Sequence, residues 1–229
     1  MTPPRVEWGT LHNARELGEL VAPGALFRSP RLDALDAAGW EQLTASGVRT
    51  IVDLRNDDEV AFLPLRPAVL RVIRTPVEDQ GDADFMAVWG RHLGSPDYYA
   101  ENLRRWPALI AAAIGAVADA PDGGVLVHCA AGRDRTGLVV ALLLRVAGVP
   151  VADVLDDYEQ GVREINEWFR TNVDREPHLD EEALAASVAE KRASLAGFLE
   201  ALDVHAYLID AGVSSAQLAR LRARLVGAK

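Results

Sequence analysis

The chain has 229 residues, with 24 basic against 34 acidic side chains and a formal net charge of −10; 49% are hydrophobic and 25% charged, ordinary values that exclude disorder as the dominant state. The acidic balance argues against nucleic acid as a partner, which needs a basic face to displace counterions, but a small basic pocket on an acidic body can still hold an anion. The apolar runs at 107–118 and 138–144 are too short for stable membrane insertion. No signal peptide is expected, and the single cysteine forms no internal disulfide, so the protein is expected in the cytoplasm, with export by a non-classical route left open.

In chain order, Leu26-Phe27-Arg28 reads as a short strand, and Asp36–Ser46 as a helix stopped by Gly47. Val48–Leu54 reads as a buried strand and Val69–Thr75 as another, closed by Pro76. The carboxylate-rich segment Glu78–Asp84 reads as a loop. Pro107–Ala118 is an Ala-rich helix with proline in its first turn. A turn at Asp122-Gly123-Gly124 leads into the all-apolar strand Val125-Leu126-Val127, of the kind buried in a parallel sheet. The helices Thr136–Ala147 and Val151–Arg170 follow, then a polar break at Asp174–Asp180. The remainder reads as helical and ends in Ser215–Leu225, opened by a capping box at Ser214 and Gln217. Strands alternating with helices up to about residue 147 predict an α/β fold: a mainly parallel central sheet flanked by helices, with a C-terminal helical extension over 151–229.

One segment carries the chemistry. Cys129 follows the strand 125–127, and Arg135 comes just before a helix. Ligands of open α/β sheets bind outside the carboxyl ends of the strands. A loop entering a helix there offers converging backbone N–H groups and the positive end of the helix dipole. The same field favours the thiolate form of Cys129, and Arg135 can curl back to grip phosphate with two parallel hydrogen bonds. Gly132 lets the loop turn with its N–H groups inward, and the Thr136 hydroxyl is in position to steady the sulfur. A lone cysteine after an apolar strand is more often plain core. It is the whole pattern, with a strand before and a helix after, that points to phosphate handling.

His128-Cys129, five residues, then Arg135-Thr136-Gly137 resembles the signature loop of the cysteine-dependent protein tyrosine phosphatase superfamily, and most closely its bacterial tyrosine/serine phosphatase branch. Asn13–Gly18, Gly24–Ser29, and Val52–Arg55 with Glu59 are similar to further elements of that branch. The resemblance implies a single tyrosine/dual-specificity phosphatase-like domain over 1–229. It also implies a reaction without metal or other cofactor. Cys129 would attack phosphorus to give a phosphocysteine, which water hydrolyses, while Arg135 and the N–H groups of Ala130, Ala131, Gly132, Arg133, Asp134 and Arg135 hold the phosphoryl oxygens.

Two residues qualify as the general acid: Asp79 in the acidic loop, favoured here, and Asp134 within the signature loop. His128 is expected to orient the cysteine, and Asp53 and Arg55 to support the loop or the substrate rim, the bland alternative being a surface ion pair. Arg133 stands where the resembled branch carries lysine, a residue it associates with phosphoinositides; arginine keeps the charge but changes the donor geometry. The expected substrate is protein phosphotyrosine, with phosphoserine, phosphothreonine and phosphoinositide as further classes. The alternatives are an inositol-polyphosphate or other small-phosphate phosphatase, and a phosphate-binding module without turnover. Trp168 and Phe169 are expected to pack over the pocket as part of a lid hinged at the Asp174–Asp180 break.

Overall fold

The computed structural model describes residue 6 and residues 8–9, 11–60, 66–172 and 176–227. Its centre is a five-stranded sheet: β1 (Arg15–Glu16), β2 (Leu26–Ser29), β3 (Val48–Asp53), β4 (Arg71–Arg74) and β5 (Gly124–His128). The spatial order is β1-β2-β5-β3-β4, and only the β1–β2 pair is antiparallel. The short strand β1 had no sequence signal, since two residues show no alternation. β5 lies in the middle, with all five residues buried.

Alternation along the strands sorts the core into two layers, because successive side chains point to opposite faces. Phe27, Ile51 and Leu126 meet Trp8, Trp40 and Leu43 on one face, covered by α1 (Ala37–Ala45) and the N-terminal segment. Leu26, Val52, Val125 and Val127 face the other way, into the larger cluster built with the remaining helices. The expected cover on both faces is therefore present, but unequal.

α2 (Ala83–Trp89) begins inside the segment expected to be a loop: Asp82 caps it by accepting from the Phe85 N–H, and Phe85 is fully buried. The acidic residues hid a helix start, since a carboxylate is a good N-cap and suits a first turn. α3 (Tyr99–Arg105) and α4 (Pro107–Ala118) follow. α5 (Asp134–Val146) starts two residues earlier than the sequence suggested and is buried along nearly its whole length. α6 (Val151–Phe169), α7 (Glu181–Ala201), α8 (Val204–Asp210) and α9 (Ser215–Val226) complete the chain. Asp174 and its neighbours in 173–175, where the hinge was expected, lie outside the described residues. Among the described residues no helix is long and apolar enough to cross a membrane.

Candidate active site

The chain leaves the carboxyl end of the central strand at His128, whose neighbours in register are Ser29 of β2 and Asp53 of β3. The loop that follows is held from outside by groups remote in sequence. The Arg31 N–H donates to the Ala130 carbonyl at 3.1 Å. The Asn13 amide donates to the carbonyls of Ala131 and Gly132 at 3.2 and 3.0 Å, and Arg28 Nη2 reaches the Gly132 carbonyl at 2.7 Å. In a trans peptide the N–H of the next residue points opposite to the carbonyl. Three carbonyls bonded outward therefore turn the N–H groups of Ala131, Gly132 and Arg133 inward, as an anion-binding concavity requires. Gly132 sits at φ +69°, and a Cβ there would lie 2.5 Å from the Ser29 carbonyl oxygen, so both its conformation and its closeness to β2 demand glycine.

Arg28 and Arg15 are fully buried and share Asp157 of α6. Arg15 Nε donates to Asp157 Oδ1 at 2.9 Å and Arg28 Nη1 pairs with Oδ2. Burial alone would push the Asp157 carboxyl up, but the two guanidinium groups outweigh it and hold it below its ordinary value.

Cys129, 3% exposed, shares a cavity of 590 Å³ with Ala130, Ala131, Arg133, Asp134 and Arg135. Gly132 alone of the predicted binding residues does not line it, being packed behind against β2. Arg135, in the first turn of α5, pairs through Nη1 and Nη2 with Glu59, the latter at 2.7 Å, and its Nε lies 3.4 Å from Glu78 Oε1. Burial works against the Arg135 charge, but Glu59, Cys129 and Glu78 together raise its pKa above the ordinary value. The guanidinium is thus permanently charged and aimed by carboxylates from two other loops. Arg133 is also fixed: its Nε donates to Asp134 Oδ2 at 2.9 Å and its Nη2 to Glu176 Oε1 at 2.9 Å.

His128 donates from Nδ1 to the Cys129 carbonyl at 3.2 Å, while Nε2 stands 3.6 Å from Asp53 Oδ1. Burial, helped by the Arg55 charge, lowers its pKa despite Asp53, so it is neutral at neutral pH. It braces the start of the loop and does not line the cavity. Asp53 and Arg55, 1% exposed each, are not a surface ion pair. Arg55 Nε and Nη2 bind both oxygens of Asp53 at 2.9 and 2.8 Å, and Nη1 reaches Asp33 at 3.1 Å. This strut lies directly under His128 and away from the cavity.

Three expectations need correction. Asp79 is exposed and does not line the cavity; its carboxylate accepts the Gly81 N–H at 2.8 Å, closing a local turn. The carboxylate that this loop does present is the adjacent Glu78, buried beside Val77. Thr136 Oγ1 is buried without a hydrogen-bond partner, so it does not bond the sulfur here. Trp168 stacks on His12 with ring centroids 4.4 Å apart, and neither it nor Phe169 lines the cavity with Cys129. Glu176 and Lys191 do, from the segment after α6 and from α7.

Sequence reasoning also passed over Asn13, Arg15, Arg28, Asp157, Glu59 and Glu78 as builders of the site. A signal existed for four of them: Asn13, Arg15, Arg28 and Glu59 lie in the very segments on which the resemblance rests. Asp157 and Glu78 had none, because only folding tells a buried carboxylate from its solvated neighbours.

The family model described as "Tyrosine phosphatase family" matches residues 6–227. The chain is 32% identical to the triple specificity protein phosphatase PtpB of Mycobacterium tuberculosis, covering 90% of this chain and 92% of that protein. It is 33% identical to a tyrosine-protein phosphatase of Nostoc commune over 58% of this chain, spanning 47% of that longer protein. A crystal structure of P. aeruginosa TpbA superposes with a TM-score of 0.43 at 21% identity, over 87% of this chain and 91% of that one. With a matched model running almost end to end and a relative aligned over nearly its full length, the chain belongs to the tyrosine phosphatase family.

Proposed function

We propose that this tyrosine phosphatase hydrolyses protein phosphotyrosine in the cytoplasm through a phosphocysteine intermediate on Cys129. The observation that carries the reading is the placement of Cys129 at the head of a loop whose N–H groups turn inward, with Arg135 lining the same cavity. The Cys129 sulfur attacks phosphorus, and the S–P bond forms as the bond to the tyrosine oxygen breaks. The inward N–H groups and Arg135 hold the equatorial oxygens, whose charge rises in the transition state. Water then attacks phosphorus, the S–P bond breaks, and the thiolate returns with release of inorganic phosphate. The neutral His128 fixes the loop's entry and takes no proton.

A second reading concerns substrate breadth. Arg91, Arg133 and Lys191 line the cavity beside Arg135, together with the carboxylates Glu78, Asp134 and Glu176. Arg133 is paired with Asp134 and Glu176, so Arg91 and Lys191 are the cations that favour a second phosphate, as on inositol polyphosphates and phosphoinositides. A binding module without turnover is the remaining alternative, and the intact Cys129 and Arg135 speak against it.

The test is phosphate release from p-nitrophenyl phosphate, a phosphotyrosine peptide and a phosphoinositide, with EDTA present, comparing wild type with Cys129→Ser. Wild-type turnover unaffected by EDTA and lowered at least ~10³-fold in the variant is expected, as for loss of a nucleophile. Retained activity in Cys129→Ser would overturn the mechanism, and the ratio of peptide to phosphoinositide turnover decides breadth.

A further inference from the structure

The geometry points to Glu78, and to neither aspartate, as the group that protonates the departing oxygen. This rests on the phosphocysteine reading and names a residue for its unassigned proton. Glu78 follows β4, whose residues Val72, Ile73 and Arg74 pair in register with Ile51, Val52 and Asp53 of β3, so the chain returns to the carboxyl edge of the sheet beside the signature loop. It is 2% exposed and lines the cavity together with Cys129 and Arg135.

The two oxygens of Glu78 are not equivalent. Oε1 accepts from Gln80 Nε2 at 2.7 Å and faces Arg135 Nε at 3.4 Å. Oε2 is buried with no hydrogen-bond partner. Donors converge on Oε1, so a proton on the carboxyl belongs on Oε2, which has no hydrogen-bond partner to hold it. The groups facing Glu78 are Arg135 and Asp134 on α5, Glu59 in the turn after β3, and Tyr98 in the turn before α3. Burial, reinforced by Glu59 and Asp134, pushes the Glu78 carboxyl above its ordinary value, with Arg135 and Gln80 opposing. An acid that must deliver a proton near neutral pH is tuned in this direction.

The competitors are otherwise engaged. Asp79 is turned to the Gly81 N–H and does not line the cavity. Asp134 does line it, but Oδ2 accepts from Arg133 Nε and Oδ1 from the Tyr158 hydroxyl at 3.0 Å. Both oxygens are acceptors in bonds that fix the loop.

In the first step the S–P bond forms, the P–O bond breaks, and the electron pair left on oxygen takes the proton from Glu78 Oε2, releasing the alcohol. In the second step water attacks phosphorus and gives a proton to the Glu78 carboxylate. The S–P bond breaks with its electron pair returning to sulfur, and phosphate leaves.

The experiment measures kcat/KM, which reports the step in which the leaving oxygen departs, for Glu78→Gln and Asp134→Asn on p-nitrophenyl phosphate, whose anion leaves unaided, and on phenyl phosphate and a phosphotyrosine peptide, whose leaving oxygens need a proton. For Glu78→Gln the expected loss is about 10²-fold or more on the two poor leaving groups and less than about 10-fold on the nitrophenyl ester, the range of a lost general acid. The alkaline limb of the kcat/KM profile disappears with it, and Glu78→Asp restores part of the lost rate. An equal loss on all three substrates would reduce Glu78 to holding Arg135. Loss of the alkaline limb in Asp134→Asn would move the role to Asp134, and this arm decides the matter even where Glu78→Gln does not fold. Absence of Cys129-dependent turnover in the wild type sinks the phosphocysteine reading and this assignment together. A flat leaving-group response with wild-type turnover intact sinks this assignment alone.

Discussion

At Glu78 an ionisable side chain is kept almost wholly out of solvent, and its cost has a pH signature. Its carboxyl titrates above the ordinary 4.5 in the folded protein because of burial, while in the unfolded chain it ionises at that ordinary value. Between the two the folded state holds the extra proton, so stability falls as pH rises through this window. Glu78→Gln removes the ionisable group. The melting temperature of the variant relative to wild type is therefore expected to rise from pH 5 to pH 8, read by thermal denaturation at both. A difference that stays constant or shrinks would show that Glu78 is not held neutral. At this scale the sequence was informative where chemistry is local: the strand before, the helix after and the resemblance put Cys129, Arg135 and the intervening residues on one loop, and they share one cavity except for Gly132. It was silent on orientation, so Asp79 and Asp134 were the candidates for the acid and the buried Glu78, immediate neighbour of Asp79, was not among them. One step along an irregular loop turns a side chain from solvent into the protein, and no periodicity marks which.

Between elements, the decisive connection is the pair of buried arginines on β1 and β2 that meet Asp157 of α6. Asp157→Ala leaves two guanidinium groups buried without a counter-charge, a change that costs about 3–5 kcal/mol in comparable pairs. Arg28 also holds the Gly132 carbonyl, so phosphatase activity is expected to fall along with stability. Urea denaturation and turnover of the same preparation check both, and a loss below about 1 kcal/mol would mean that water reaches the pair. Strands β2 to β5 and the helices α1, α4, α5, α6 and α9 were readable from apolar periodicity, Gly and Pro punctuation and a capping box. β1, α2 and α3 were not. β1 is too short for a pattern, α2 hides its start among acids, and α3 ends only one residue before α4 begins.

For the molecule as a whole, the helical extension divides into parts with different duties. The segment after α6 and helix α7 reach the cavity through Glu176 and Lys191. α9 instead packs on α4 and α5 away from it, with Leu218, Leu221 and Leu225 at most 2% exposed. Arg224 ties it to the carbonyls of Ala120, Pro121 and Gly123. Removing a buried leucine side chain costs about 2–5 kcal/mol, and a whole domain is stable by only about 5–15 kcal/mol. Truncation after Ser214 is therefore expected to yield protein without a cooperative melt, checked by circular dichroism. A soluble, active truncated protein would show that α9 is an accessory. The sequence foresaw these helices but not their division, because amphipathic spacing says that a face is covered and not by what.

The carbonyl clamps on the signature loop carry one more consequence. Asn13 and Gly132 are 119 residues apart in the chain, and Arg15 and Asp157 are 142 apart. Contacts of such separation pay the largest loop-closure entropy and belong to the slow, non-local part of folding. During synthesis, Cys129 and Arg135 leave the ribosome before Asp157 of α6, which anchors the arginines that hold the loop. A nascent or partly unfolded chain thus carries Cys129 and Arg135 before the contacts that turn the loop's N–H groups inward have formed.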